Sequence, residues 1–158
     1  MIPKTTTWIC DRCGETVSAS EGLLQWLVIP KNDESGYRRE GLELVHIRRP
    51  DRPKCAYDAQ SVFKAKNATT SDLNLERLDG HDGLMLLLSF IAEGDFAENK
   101  EIIEVIKRLL VPGYEQVRHH LERAASEGVC EPNTPEGFPE QTQIEAVIKW
   151  LESGGQNN

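Results

Sequence analysis

Short apolar runs in the first third of the chain predict β-strands. The run 23–29 is apolar apart from one glutamine and ends at Pro30, and a polar turn follows it. Apolar and polar residues then partly alternate over 42–47, which predicts a second strand. Because side chains alternate between the two faces of a strand, His46 lies on the same face as two leucines of this segment. The pattern predicts a small antiparallel β module.

From Ser71 onward the spacing of apolar residues changes to that of helices. The run 84–92 is apolar on nearly all sides, which predicts a buried central helix that ends at Gly94. Apolar positions three and four residues apart predict further amphipathic helices. Including one short segment before the central helix, these are placed at 72–78, 98–110, 114–125 and 144–151. The fold class expected is therefore α+β, with a C-terminal helical bundle following the β module.

These changes of pattern divide the chain into four parts. The predicted boundaries are a β module over 1–58, a linker or continuous join over 59–70, an acidic helical bundle over 71–153 and a disordered tail over 154–158. Two strands with a short lead-in bury little apolar surface, and units of this size usually need a disulfide or a metal ion for stability. We therefore expect the β module to be stabilised by something other than its core.

The cysteines supply a candidate for that stabilisation. The chain has four, of which Cys10 and Cys13 form a Cys-x-x-Cys pair followed by Gly14. In a reducing compartment such a pair is more often a metal site or a redox centre than a structural disulfide. Redox pairs lie at the start of a helix, which lowers the thiol pKa, whereas residues 14–18 favour a strand. The pair therefore predicts a metal site, while Cys130 has no partner nearby in sequence.

A closed structural zinc site takes four nitrogen or sulfur ligands in a tetrahedron. His46 and Cys55 are the best candidates for the second pair, although eight residues separate them, more than in familiar sites. The pattern Trp8-x-Cys10-x-x-Cys13-Gly14, followed by β residues, resembles zinc-ribbon and zinc-knuckle modules over residues 8–55 only; no characterised family covers the whole chain. This resemblance implies one structural zinc ion and a fold element, and it leaves the biological task open.

No motif in the sequence indicates catalysis. Hydrolytic zinc sites need an open coordination position and a carboxylate base, and neither the His-Glu-x-x-His motif nor the zinc deaminase signature occurs. Glycine-rich phosphate loops and nucleophile elbows are also absent from the sequence. We therefore assign no catalytic residue and expect a non-enzymatic protein; a zinc-dependent hydrolase is the least favoured alternative.

Charge is distributed unevenly within the net charge of −8. Residues 1–66 carry 11 basic and 9 acidic side chains, whereas residues 67–158 carry 7 and 17. Six basic residues near the second strand could contact nucleic acid or another anionic partner: Arg38, Arg39, Arg48, Arg49, Arg52 and Lys54. Acidic residues between them weaken the local field. The preferred hypothesis is an accessory or adaptor protein that binds a protein partner, and a nucleic-acid-binding zinc module is the alternative.

The sequence also bears on location. Met1–Thr5 lacks the apolar run of a signal peptide, and the longest apolar stretch, 84–88, is far shorter than the roughly 20 residues that span a bilayer. We expect a cytoplasmic protein with no membrane partner.

Overall fold

The structure is a computed structural model that describes residues 1–33, 35–131 and 133–155. The last three residues of the predicted tail, 156–158, lie outside the described residues. The strands are β1 (Thr7–Ile9), β2 (Thr16–Ser18), β3 (Gly22–Pro30), β4 (Tyr37–His46) and β5 (Thr69–Asn74). The α-helices are α1 (Ala59–Lys66), α2 (Gly80–Glu93), α3 (Asn99–Leu110), α4 (Tyr114–Val117), α5 (Leu121–Ser126) and α6 (Gln141–Glu152). The predicted α+β class is confirmed.

The strands form two antiparallel sheets. Strands β1 and β2 make a hairpin in which Trp8 lies opposite Val17. Strands β4, β3 and β5 form the second sheet in that order, and Gly22 at the start of β3 lies opposite His46 at the end of β4. The hairpin loop carries Cys10 and Cys13 and the end of β4 carries His46, which are three of the four predicted metal ligands.

Strand β5 corrects the prediction of a helical segment at 72–78. Residues 69–74 instead pair antiparallel with β3, and a 3₁₀ helix, Leu75–Leu78, follows. The segment Thr-Thr-Ser-Asp-Leu-Asn has little apolar alternation, so its strand conformation comes from backbone pairing with β3 and not from a local pattern. Residues predicted as a linker include helix α1, whose first turn is capped by the Asp58 carboxylate accepting from the Ser61 amide at 2.8 Å.

The residues Thr6–Leu110 form one compact unit with a shared core. Helices α2 and α3 cover the sheet, and Trp26 of β3 packs edge-on against Phe90 with ring centroids 5.6 Å apart. The sheet therefore relies on α2 and α3 for most of its apolar partners. The predicted join at 59–70 lies inside this unit, as α1 and the start of β5.

A second compact unit consists of Met1–Thr5 and the described residues from Val111 onward. Its core comes from α4, α5 and α6 and contains Tyr114, Val117, Ala124, Ile144 and Val147. The helix predicted over 114–125 is divided into α4 and α5 by a turn at 118–120, where the His120 amide donates to the Val117 carbonyl at 2.8 Å.

Of the helices that the described residues form, none combines the length and the apolar character that crossing a membrane requires.

Candidate metal centre

The hairpin loop between β1 and β2 folds as a tight turn around Cys10 and Cys13. The Cys10 amide donates to the Glu15 carbonyl at 2.8 Å, and the Gly14 amide donates to the Cys10 carbonyl at 2.9 Å. Gly14 has a φ of 74°, in the left-handed region that favours glycine. This loop, the knuckle, therefore has the tight turn that the Cys-x-x-Cys-Gly spacing predicts.

His46 is buried at the end of β4 and directs one ring nitrogen at the cysteines. Its Nε2 lies 3.0 Å from the Thr16 carbonyl oxygen, which can only accept, so Nε2 carries the hydrogen. The other ring nitrogen, Nδ1, faces the Cys13 sulfur at 3.4 Å. A backbone carbonyl that fixes the tautomer and the ring orientation is typical of metal-bound histidines.

Cys55 reaches the site from the loop between β4 and α1. Gln25, a buried polar residue of β3, holds this loop: its Nε2 donates to the Cys55 carbonyl at 3.4 Å, and its Oε1 accepts from the Tyr57 amide at 2.8 Å. The wide spacing between His46 and Cys55 is therefore accommodated by a loop that folds back onto the sheet.

The four predicted ligands converge at one point. The Sγ atoms of Cys10, Cys13 and Cys55 and one ring nitrogen of His46 all lie within 4.8 Å of one another. Zinc–sulfur bonds of about 2.3 Å and zinc–nitrogen bonds of about 2.0 Å in a tetrahedron place two sulfurs about 3.8 Å apart and a sulfur and a nitrogen about 3.5 Å apart. The residues present therefore fit one tetrahedral metal ion, and Cys10, His46 and Cys55 are buried.

The two buried thiols have pKa values shifted in opposite directions. Burial opposes ionisation of Cys10, but backbone amides of Cys13, Arg12 and His46 donate hydrogen bonds to it and lower its pKa to about 7. Burial, together with hydrogen bonds and charge from Cys13 and Cys10, raises the pKa of Cys55 to about 12. Without a cation, one thiolate therefore suppresses ionisation of the next. A divalent metal would supply the positive charge that three neighbouring thiolates need.

Arg108 of α3 supports the knuckle and could not be identified from the sequence. Its side chain is 4% exposed; Nη1 donates to both carboxylate oxygens of Asp11 at 2.9 and 3.0 Å, and Nη2 donates to the Ile9 carbonyl at 2.9 Å. The second oxygen of Asp11 also accepts from the Leu44 amide at 2.8 Å. Through this ion pair and the Leu44 amide, Asp11, which lies between Cys10 and Cys13, is held to both α3 and β4.

A second polar network contacts the loop that carries Cys55. Arg12 pairs with Glu43 at 2.7 Å, and Glu43 accepts from Gln25 at 3.0 Å. The Arg12 guanidinium also lies over the Tyr57 ring, 4.6 Å from its centroid. This network thus connects the knuckle, β3, β4 and the loop that carries Cys55.

The arginines predicted as anion contacts lie in ion pairs with acidic residues. These pairs are Arg38–Glu40 (3.4 Å), Arg39–Glu93 (3.7 Å), Arg48–Asp58 (3.4 Å), Arg49–Glu21 (3.8 Å) and Arg52–Glu15 (2.6 Å), while Lys54 is exposed. Arg52 also donates to the Cys13 sulfur at 3.6 Å. Each guanidinium has a carboxylate neighbour, so much of the local positive charge is already balanced.

Two aromatic residues of the sheet differ in their exposure. Trp26 is buried against Phe90 and Phe96 and cannot stack on a base, whereas Tyr37 is exposed. Cys130 lies in the C-terminal unit, apart from the cluster, as a half-buried free thiol.

Comparison with known proteins adds no relative: no family model, curated protein or solved structure matches the chain significantly. The fold and the site together define an α+β protein with a Cys₃His cluster that can hold a metal ion.

Proposed function

We propose that the cluster binds one structural zinc ion and that the protein is a non-enzymatic accessory or adaptor protein that acts through contacts with a protein partner. The observation that carries the proposal is the convergence of three cysteine sulfurs and the Nδ1 atom of His46 within 4.8 Å. Sulfur-rich tetrahedral sites favour zinc over metals that prefer oxygen ligands or square-planar geometry.

The ligand count supports a structural role over a catalytic one. Four protein ligands complete the tetrahedron, whereas a hydrolytic zinc ion keeps one position for water. The zinc ion would then join the β1–β2 hairpin, the end of β4 and the loop before α1. Metal binding of this kind is part of the folding free energy of the unit that it connects.

The paired arginines favour a protein partner over nucleic acid. Nucleic-acid binding takes much of its affinity from cations that neutralise the phosphate backbone. Here Arg48, Arg49 and Arg52 each pair with a carboxylate, which already offsets part of their charge. Surfaces that carry both positive and negative side chains are common at protein–protein interfaces, where charged pairs determine specificity more than affinity.

Metal analysis of the untagged protein tests the zinc proposal. We expect one zinc ion per chain, and cobalt substitution should give the visible bands of a tetrahedral ion together with thiolate charge-transfer absorption. Cys55→Ser should weaken metal binding and lower the intensity of the charge-transfer band by about the share of one thiolate out of three. Cys130→Ser should change neither the affinity nor the spectrum. One tightly bound zinc ion with an unchanged cobalt spectrum in Cys55→Ser would remove Cys55 from the ligand set.

The nucleic-acid alternative has its own test. We expect fluorescence anisotropy with single-stranded and duplex DNA and RNA to show at most weak binding at physiological salt. The double variant Arg48→Glu/Arg49→Glu should leave that signal unchanged. Tight binding that weakens steeply with salt and is lost in the double variant would instead support a nucleic-acid-binding zinc module.

A further inference from the structure

Strand β5 has an unpaired outer edge. It lies at the end of the sheet order β4-β3-β5 and pairs with β3 on one side. Within the part of the chain that the structure describes, no backbone hydrogen bond to another segment covers its other side. In an antiparallel strand every second residue directs its N–H and C=O groups away from the paired neighbour. Half of the backbone of Thr69–Asn74 therefore faces outward and is available to a further strand.

Helix α1 contacts β5 and has no buried residue. It is eight residues long, and Phe63 at its centre is 57% exposed. Helices this short are marginal in water and usually depend on packing of an apolar face. Phe63 therefore offers an exposed apolar side chain to the groove that it lines.

A groove of about 450 Å³ runs between α1 and β5, and its lining is mainly apolar. The lining residues are Ala59, Gln60, Phe63, Lys64, Ala68, Thr69 and Thr70. Lys64 is the one charged side chain in this lining, Lys66 follows it in α1, and α1 itself contains no acidic residue. Asp72 of β5 is exposed but lies outside the groove lining, so the groove itself presents an apolar floor and one positive charge. These select an apolar segment with acidic side chains.

We propose that the α1–β5 groove binds an extended acidic segment of the partner protein, which adds to the sheet as a fourth strand beside β5. The proposal rests on the adaptor role proposed above and names the chemistry of its partner. Strand addition of this kind takes its affinity from main-chain hydrogen bonds and its specificity from pockets for alternate side chains. Phe63 provides the apolar contact and Lys64 the charged one.

The metal cluster is connected to this groove through the chain. Asp58, which caps α1, follows Cys55 by three residues, and the Cys55 carbonyl is held by Gln25 of β3. A metal ion bound at Cys55 would therefore fix the start of α1 relative to the sheet. The groove and the cluster belong to the same compact unit.

The experiment uses the zinc-loaded full chain and a fluorescent, N-acetylated and C-amidated hexapeptide of alternating valine and glutamate. We expect saturable binding in fluorescence anisotropy, together with protection of the β5 amides in hydrogen exchange. Lys64→Glu should weaken binding about tenfold or more, which corresponds to about 1.4 kcal/mol. The same variant should gain affinity for the peptide in which lysine replaces glutamate. Phe63→Ala should weaken binding of both peptides.

Two controls separate strand addition from nonspecific attraction. Lys54→Glu reverses an exposed lysine outside the groove lining and should leave peptide affinity within about twofold. A peptide methylated on every second amide nitrogen, along the edge that would face β5, keeps its charge but loses its donors, and it should not bind.

The proposal is overturned by the absence of saturable binding, by equal affinity of the methylated peptide, or by insensitivity to Lys64→Glu. Protection of the β5 amides that rises with protein concentration in the absence of peptide would identify a second copy as the occupant and overturn it equally. Zinc content is measured on the same samples. A zinc-loaded chain that fails to bind refutes the groove alone, whereas a chain without zinc refutes the metal proposal whatever the peptide does.

Discussion

Replacing Cys10 by serine should abolish tight zinc binding and prevent the unit Thr6–Leu110 from folding. Structural zinc sites contribute roughly 10–16 kcal/mol of apparent binding free energy, as much as the roughly 5–15 kcal/mol by which whole domains are stable. A serine hydroxyl is a poor zinc ligand. Because Cys10 is almost fully buried, the hydroxyl would also be a newly buried polar group. Circular dichroism and two-dimensional NMR of the full chain measure the loss.

Cys130→Ser is the matched control for this change, because Cys130 lies outside the cluster, in the other compact unit. Its spectrum and zinc content should equal those of the wild type. Removal of zinc from the wild type by a strong chelator should reproduce the Cys10→Ser spectrum. If Cys10→Ser keeps well-dispersed resonances from residues 6–110 without bound metal, the cluster does not stabilise this unit.

Arg108→Met should destabilise the same unit by about 1.5–3 kcal/mol, the usual contribution of a hydrogen bond to a charged group, because Arg108 is buried whereas the Asp11 side chain is 23% exposed. The Asp11 carboxylate would lose both charge-assisted hydrogen bonds from the guanidinium, and the Ile9 carbonyl would lose its donor. Because Asp11 lies between Cys10 and Cys13, zinc affinity should fall as well. Urea denaturation of the zinc-loaded protein and competition with a chromogenic chelator measure the two effects.

Lys100→Ala on the same helix provides the comparison. The Lys100 side chain is 80% exposed and pairs with Glu98, so its loss should leave the free energy of unfolding nearly unchanged. The double variant Arg108→Met/Asp11→Asn lacks both charges of the pair. It should therefore be more stable than the sum of the two single changes indicates. Additive effects, or a cost below about 1 kcal/mol for Arg108→Met, would show that the pair does not support the knuckle.

Much of the fold could be predicted because its signals are local. The central helix and the helix at 98–110 follow from apolar residues three and four positions apart, and Gly94 ends α2 in the left-handed conformation that glycine permits. Strand β5 and helix α1 could not be predicted in this way. The strand is defined by pairing with β3, and α1 has neither a buried residue nor a strong apolar stripe.

The residues of the candidate site likewise differ in whether local sequence predicts them. The Cys10–Cys13 turn is a short-range feature whose spacing and following glycine indicate a metal knuckle directly. His46 and Cys55 were predicted because few residues with suitable donor atoms are available, and the structure brings them to the pair. Gln25 has no ligand chemistry of its own, and its hydrogen bonds to the Cys55 segment connect residues about 30 positions apart.

By itself, the sequence determined the α+β class, the helices around 84–92 and 98–110 and the Cys10–Cys13 turn, because local spacing and donor chemistry decide these. Only the tertiary structure decided that α2 and α3 complete the core of the sheet, that Arg108 holds Asp11 across 97 residues, and that β5 leaves one edge unpaired. Such features depend on which distant segments meet, and the hydrophobic and hydrogen-bonding energies that bring them together leave no regular spacing along the chain.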